Sequence, residues 1–162
     1  MQPFPSGSIC EGYHRRSICV LRGGTASGQL GGGNLSVLCT TVGTPYQPSL
    51  KNNILFLEDH SEAPYRFDRM LTQLLNAGVL QQVAGVAVGI NEACQDPCAR
   101  RARTYRQTLQ DVLRERLLPL KVPVVTGLPF GHVPLNAMLP IGIQATLDGI
   151  KGDLVIAEAA VK

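Results

Sequence analysis

The chain has 162 residues, a net charge of +3, 44% hydrophobic and 17% charged residues, an ordinary globular mixture of single-domain length that excludes a disordered chain. No apolar run reaches the roughly 18–20 residues of a membrane span, and Met1 to Arg22 holds no apolar core of signal-peptide length. A soluble, cytoplasmic protein with no membrane partner is therefore expected. The basic residues are scattered except for Arg100, Arg101, Arg103 and Arg106, and one short cluster beside one Tyr is not the basic stripe with aromatic platforms that nucleic acid demands.

Met1 to Arg16 shows no periodicity, contains Pro3, Pro5, Gly7 and Gly12, and is expected to be an irregular N-terminal tail, with the folded domain running from 17 to 162. Ser17–Arg22 reads as a short strand. Gly23–Asn34 is so rich in glycine that it reads as a loop of tight turns and close backbone approach. Leu35–Val42 is a short apolar segment expected to be helical, with Asn34 or Ser36 near its cap.

Asn53–Leu57 is a continuous apolar run that ends in Glu58 and Asp59, the pattern of a buried strand delivering polar residues at its C-terminal end. Tyr65–Ala77 is the clearest helix. Phe67, Met70, Leu71, Leu74 and Leu75 recur at helical spacing, Pro64 suits the first turn, and Gly78 suits the C-terminal cap. Val83–Ile90 is a second buried strand, Asn91–Arg103 a polar loop, Thr104–Leu118 a second amphipathic helix, and Val122–Thr126 a third strand. Leu128–Pro134 is a turn-rich loop. Ile141–Leu147 and Leu154–Ala157 form a terminal hairpin around Gly149 and Gly152. This alternation implies an α/β fold with a mainly parallel central sheet.

Two positions invite chemistry. Glu58, with Asp59, closes an apolar strand at the edge where α/β sheets meet their ligands; alternatively, one of the two carboxylates caps the next turn. His132 stands in a proline-flanked loop directly after the third strand, where an imidazole can act as general base; a structural His is the alternative. In parallel order both strand ends open on the same edge. A carboxylate that orients a His, and a His that takes a proton from a nucleophile, are two thirds of a triad. No Gly-x-Ser-x-Gly elbow occurs. Ser27 and Ser36 are the serines in glycine-rich surroundings, and neither has a clear strand-to-helix context. The glycine run lacks the Lys-Ser/Thr of a phosphate loop and does not complete the dinucleotide fingerprint.

Five cysteines, Cys10, Cys19, Cys39, Cys94 and Cys98, are an odd and scattered set that suits reduced thiols better than a disulfide framework. Cys94 and Cys98 lack partners at zinc-site spacing. His60 is expected to be solvated, His14 lies in the tail, and Arg66 and Arg69 are expected on the solvent side of their helix or at an interface.

Several blocks in one order carry a resemblance. GGGNLSVL (Gly31–Leu38), GTPYQP (Gly43–Pro48), ILFLEDHSEAPYRFDRMLTQLLNAG (Ile54–Gly78) and PFGHVPLNAMLPIGIQATLD (Pro129–Asp148) resemble the C-terminal domain of LD-carboxypeptidases, a family of muropeptide LD-carboxypeptidases and microcin-C immunity peptidases. The resemblance extends from Ser17 to Lys162. It implies a compact swivelling-type β/β/α domain and a Ser-Glu-His triad in which Glu58 and His132 hold the Glu and His positions. The family's Ser belongs to an N-terminal domain, so the resemblance implies a missing Ser-bearing domain as partner, in the same gene or a separate chain. It further implies a peptide substrate, loss of a terminal D-Ala from a muropeptide tetrapeptide, no metal or organic cofactor, and homodimerisation. A catalytically inactive orphan domain and a microcin-C immunity-type peptidase are the alternative readings.

Overall fold

Short apolar runs buried on both faces build the centre of the sheet, as parallel strands require. The computed structural model describes residues 7–13, 17–95, 107–134 and 136–157. In chain order the elements are β1 (Gly7–Ser8), β2 (Cys19–Arg22), β3 (Thr25–Asn34), α1 (Leu35–Thr41), β4 (Ile54–Glu58), α2 (Pro64–Asn76), β5 (Gly85–Gly89), α3 (Leu109–Leu117), β6 (Val124–Leu128), β7 (Gln144–Asp148) and β8 (Asp153–Ile156). The strand order is β1-β8-β7-β3-β4-β5-β6-β2. Strands β3, β4, β5 and β6 are mutually parallel, and antiparallel strands close both edges. The expected α/β class with a parallel centre holds.

Alternation along the parallel strands separates two cores, because successive side chains point to opposite faces. Leu55, Leu57, Val86, Val88 and Val124 pack with Leu38, Phe67, Leu71, Leu74, Val112 and Leu117 of the three helices. Ile54, Phe56, Ala87 and Val125 pack on the other side with Leu147, Leu154 and Ile156 of the terminal hairpin. Strand β7 touches β4 and β5, and β8 touches β6, so the hairpin lies across the parallel strands as a second β layer.

The helix ends follow their local signals. In α2, Pro64 occupies the first turn, where its missing N–H breaks no helical bond. At the other end Gly78 has φ 72°, with Gly78 N–H donating to Leu75 O at 2.9 Å and Val79 N–H to Leu74 O at 3.0 Å, a Schellman closure. Helix α3 starts later than the periodicity suggests. Thr108 is its N-cap and forms a capping box with Asp111, which satisfies otherwise orphaned N–H groups at the start. Residues 104–106 of the expected helix lie outside the described residues.

The glycine run is the main correction. Gly23–Asn34 is not a loop: from Thr25 to Asn34 it is the longest strand, pairing antiparallel with β7 through Gln29 and parallel with β4 from Leu30. The glycines serve close backbone approach within that strand. A Cβ on Gly32, at φ 137°, would stand 2.0 Å from the carbonyl oxygen of Phe56. The N-terminal tail is also corrected in part, since Gly7–Ser8 pairs with β8 and Cys10 is buried. Ser8 Oγ–H donates to the buried Asp153 carboxylate at 2.6 Å, tying this segment to the hairpin.

Candidate active site

The C-terminal ends of β3, β4 and β6 meet at one edge and deliver Asn34, Glu58 and His132. Glu58, the last residue of β4, is largely buried. Its Oε2 lies 2.7 Å from Nδ1 of His132, whose side chain is 57% exposed. The carboxylate is thus fixed in protein while the imidazole reaches toward solvent. Hydrogen bonding to Glu58 and its negative charge push the His132 pKa upward, with Asp59 and Glu92 adding to the same direction, because nearby carboxylates favour imidazolium.

His132 reaches Glu58 because its loop crosses the end of β5. Ile90 N–H donates to Phe130 O at 2.9 Å. The crossing needs a residue without a side chain below it: a Cβ on Gly89 would stand 2.4 Å from Phe130 O. The next position is equally constrained. Gly131 has φ 120°, and a Cβ there would sit 2.7 Å from Ile90 O and 3.3 Å from Glu58 Oε2. The loop is pinned beneath by Phe130, which is buried and stacks edge-on against Phe56 with ring centres 6.0 Å apart. Asn136 Oδ1 accepts from Gly131 N–H at 3.1 Å.

The neighbouring carboxylate has a different task. Asp59 is buried; its Oδ2 accepts from Ser36 N–H at 2.8 Å and its Oδ1 from His60 N–H at 2.9 Å. It caps the start of α1 and steadies the turn after β4, so the two adjacent acids divide into an orienting one and a structural one. Asn34 links them. Its Oδ1 accepts from Val37 N–H at 3.1 Å as the N-cap of α1, while its Nδ2 donates to Glu58 Oε1 at 3.2 Å and Asp59 Oδ1 at 3.0 Å. Asn34 was legible in the sequence only as a helix cap. Its bond to Glu58 depends on the parallel pairing that sets Asn34 beside Glu58.

A pocket of about 660 Å³ opens beside the pair, lined by Gly33, Phe56, Glu58, Phe130, His132 and the segment 136–141. Its walls are mostly apolar with the imidazole and carboxylate at one side, the usual mixture of a small-molecule or peptide site. The candidate serines are engaged elsewhere. Ser27 Oγ is 2.7 Å from Thr146 Oγ1, and Ser36 Oγ–H donates to Asn34 Oδ1 at 2.7 Å. Ser61 Oγ lies 2.9 Å from His60 Nδ1 and not on His132.

The remaining candidates fall away from this edge or outside the described residues. Cys19, Cys39 and Cys94 are free thiols, and Cys10 is buried. Burial pushes Cys39 up to about 11 and raises Cys94. Cys98, His14 and the arginine cluster at 100–106 lie outside the described residues. Arg66 is exposed and paired with Glu62. Among the described residues no group of three or more His, Cys, Asp or Glu side chains could hold a metal ion, and no helix is long and apolar enough to cross a membrane.

Fold and site together define an α/β domain with a carboxylate–imidazole pair at the carboxyl edge of its parallel strands. The chain belongs to the LD-carboxypeptidase C-terminal domain family, which matches residues 27–147. A putative carboxypeptidase of Synechocystis is 47% identical over 131 residues, covering 81% of this chain and 42% of that protein. A probable murein peptide carboxypeptidase of Bacillus subtilis is 37% identical over 134 residues, 82% of this chain and 40% of that protein. The crystal structure of muramoyltetrapeptide carboxypeptidase from Oxalobacter formigenes superposes with a TM-score of 0.75 at 34% identity, covering 88% of this chain and 50% of that one. The chain therefore spans 42% or less of the length of these two curated relatives.

Proposed function

We propose that this chain is the acid–base half of a serine-type LD-carboxypeptidase that removes the terminal D-Ala of muropeptide tetrapeptides in the cytoplasm during peptidoglycan recycling. The observation that carries the reading is the 2.7 Å contact between Glu58 Oε2 and His132 Nδ1, at the mouth of an apolar pocket. The names of the Bacillus and Oxalobacter relatives support the substrate class. Their identity to this chain, 37% and 34%, is higher than the 28% of the microcin C7 self-immunity protein of Escherichia coli, which favours muropeptides over a microcin-type substrate.

In the proposed mechanism Glu58 accepts a hydrogen bond from Nδ1–H of His132 and thereby fixes the tautomer with a free Nε2. Nε2 takes the hydroxyl proton of a serine supplied by an N-terminal domain, in the same protein or a separate chain. That serine attacks the peptide carbonyl preceding the D-residue. Backbone N–H donors of the complementary domain hold the oxyanion. The imidazolium then protonates the leaving D-amino acid, and water, activated in turn by Nε2, releases the acyl group. No metal or organic cofactor takes part. Only neutral His132 can accept the first proton, so activity of the assembled enzyme rises as pH passes upward through the raised His132 pKa.

The test is release of D-Ala from a muropeptide tetrapeptide. It compares the purified chain, its His132→Ala variant, and a fusion to the N-terminal part of the Synechocystis relative that this chain does not match. Release by the fusion alone, lost on His132→Ala, supports the reading. Release by the isolated chain that persists when serine-bearing sequence is withheld sinks the claim that the nucleophile is supplied from outside. A silent fusion whose two halves fold favours the inactive orphan domain.

A further inference from the structure

His60 follows the two site carboxylates in sequence, and the proposed triad makes no use of it. Its ring centre lies 5.4 Å from that of His132, with the planes inclined at 43°. Each ring is held through Nδ1: His132 by Glu58 at 2.7 Å and His60 by Ser61 Oγ at 2.9 Å. Among the described residues neither Nε2 carries a hydrogen bond. A metal-binding imidazole is commonly oriented in this way, with one nitrogen bonded to a carboxylate or hydroxyl and the other left for the ion.

The spacing fits a shared ion. With metal–nitrogen bonds of ~2.1 Å at tetrahedral angles, two imidazoles on one zinc place their ring centres roughly 5.3 Å apart. The surroundings are negative, since Glu58, Asp59 and Glu92 all act on His132, and among the described residues His60 is the one imidazole facing it. Ser61, which holds His60, has φ 57°, a conformation uncommon outside glycine that turns the chain sharply after Asp59. The set does not reach the three or more ligands of a structural site, so water must complete the shell and binding must be reversible.

We propose that His60 and His132 form a two-imidazole chelate for a borderline divalent transition ion such as Zn²⁺. The ion coordinates both Nε2 atoms. Coordination requires both rings to be neutral, so it competes with protons. It also occupies the nitrogen that the proposed triad uses for proton transfer, which makes the ion a reversible inhibitor. That consequence rests on the proposed function, whereas the chelate itself does not.

The test is calorimetric titration of the purified 162-residue chain with zinc chloride at neutral pH, alongside His60→Gln, His132→Gln, the double variant and Glu58→Gln. Thermal melts confirm that each variant is folded. One ion per chain is expected, with tenfold or greater weakening in either His variant. Glu58→Gln is expected to weaken binding ~10–100-fold through its orienting role. Binding that survives in the double variant at the original affinity assigns the ion to the cysteines and overturns the proposal. So does binding lost with His132→Gln but unchanged in His60→Gln, because a single imidazole would then suffice. Absence of binding by the unmodified chain also overturns it. All of these readouts are independent of peptidase activity, so the chelate and the triad fail or stand separately.

Discussion

Alanine at Gly32 should unseat β3 from β4, while alanine at Gly33 should be tolerated much better. Both residues have positive φ, 137° and 149°, so both substitutions incur a similar backbone strain of about 1–3 kcal/mol. Both also gain about 0.4–1 kcal/mol through reduced freedom of the unfolded chain. They differ in space. A Cβ at Gly33 meets nothing within 4 Å, whereas one at Gly32 would lie 2.0 Å from Phe56 O and 2.9 Å from Phe56 N. Those are backbone atoms of the neighbouring strand, so no rotamer change relieves the overlap. Overpacking of this kind adds about 1–3 kcal/mol, and it falls on the pairing that places Asn34 beside Glu58. Gly32→Ala should therefore be less stable than Gly33→Ala by at least ~1 kcal/mol. Urea unfolding followed by circular dichroism measures this directly, as a lower midpoint at constant slope. Equal midpoints for the two variants would show that the close approach of β3 and β4 does not explain the glycine run.

The remaining predictions concern the site. Glu58→Gln removes the charge that raises the His132 pKa, so the imidazole should titrate at lower pH by NMR; an unmoved titration contradicts the pairing. Because the folded pKa lies above the unfolded one, the pair stabilises the fold fully below the unfolded pKa and less as pH rises through the folded value. The stability difference between the chain and Glu58→Gln should accordingly shrink toward alkaline pH in urea titrations. Asn34→Ala removes the α1 cap and the donor to both acids. It should cost about 1–2 kcal/mol and broaden the His132 ring signals, and a change in stability without the second effect would limit Asn34 to capping. Cys39, buried with its thiol at about 11, should resist alkylation at pH 8 in the native chain and react in urea, as mass spectrometry of the labelled peptide would record.

Glu58 and His132 were legible because strand ends are a local matter. An apolar run that stops at a carboxylate, and another that stops at a proline-flanked histidine, mark two C-terminal ends without any knowledge of the partner strands. The same holds for α2, whose Pro64 and Gly78 are chemical instructions to the segment they bound. Local reasoning misread Gly23–Asn34 because glycine disfavours strands by propensity. The compensating fact, the carbonyl of Phe56 lying against Gly32, comes from a residue far along the chain. The start of α3 was placed too early because periodicity marks a helical face more sharply than a boundary, which Thr108 and Asp111 set by capping.

The sequence by itself determined the α/β class, the apolar strands, the best helix and the two residues of the pair. Only the tertiary structure decided that Asp59 caps α1 while Glu58 meets the imidazole, that Asn34 serves both acids, and that Gly89 clears a path for the His132 loop. It alone brought the His60 and His132 rings to 5.4 Å. Patterning along the chain records which face of each segment is buried. Which strand lies beside which is decided by hydrogen bonds and packing between residues distant in sequence, and the site exists only where those strand ends converge.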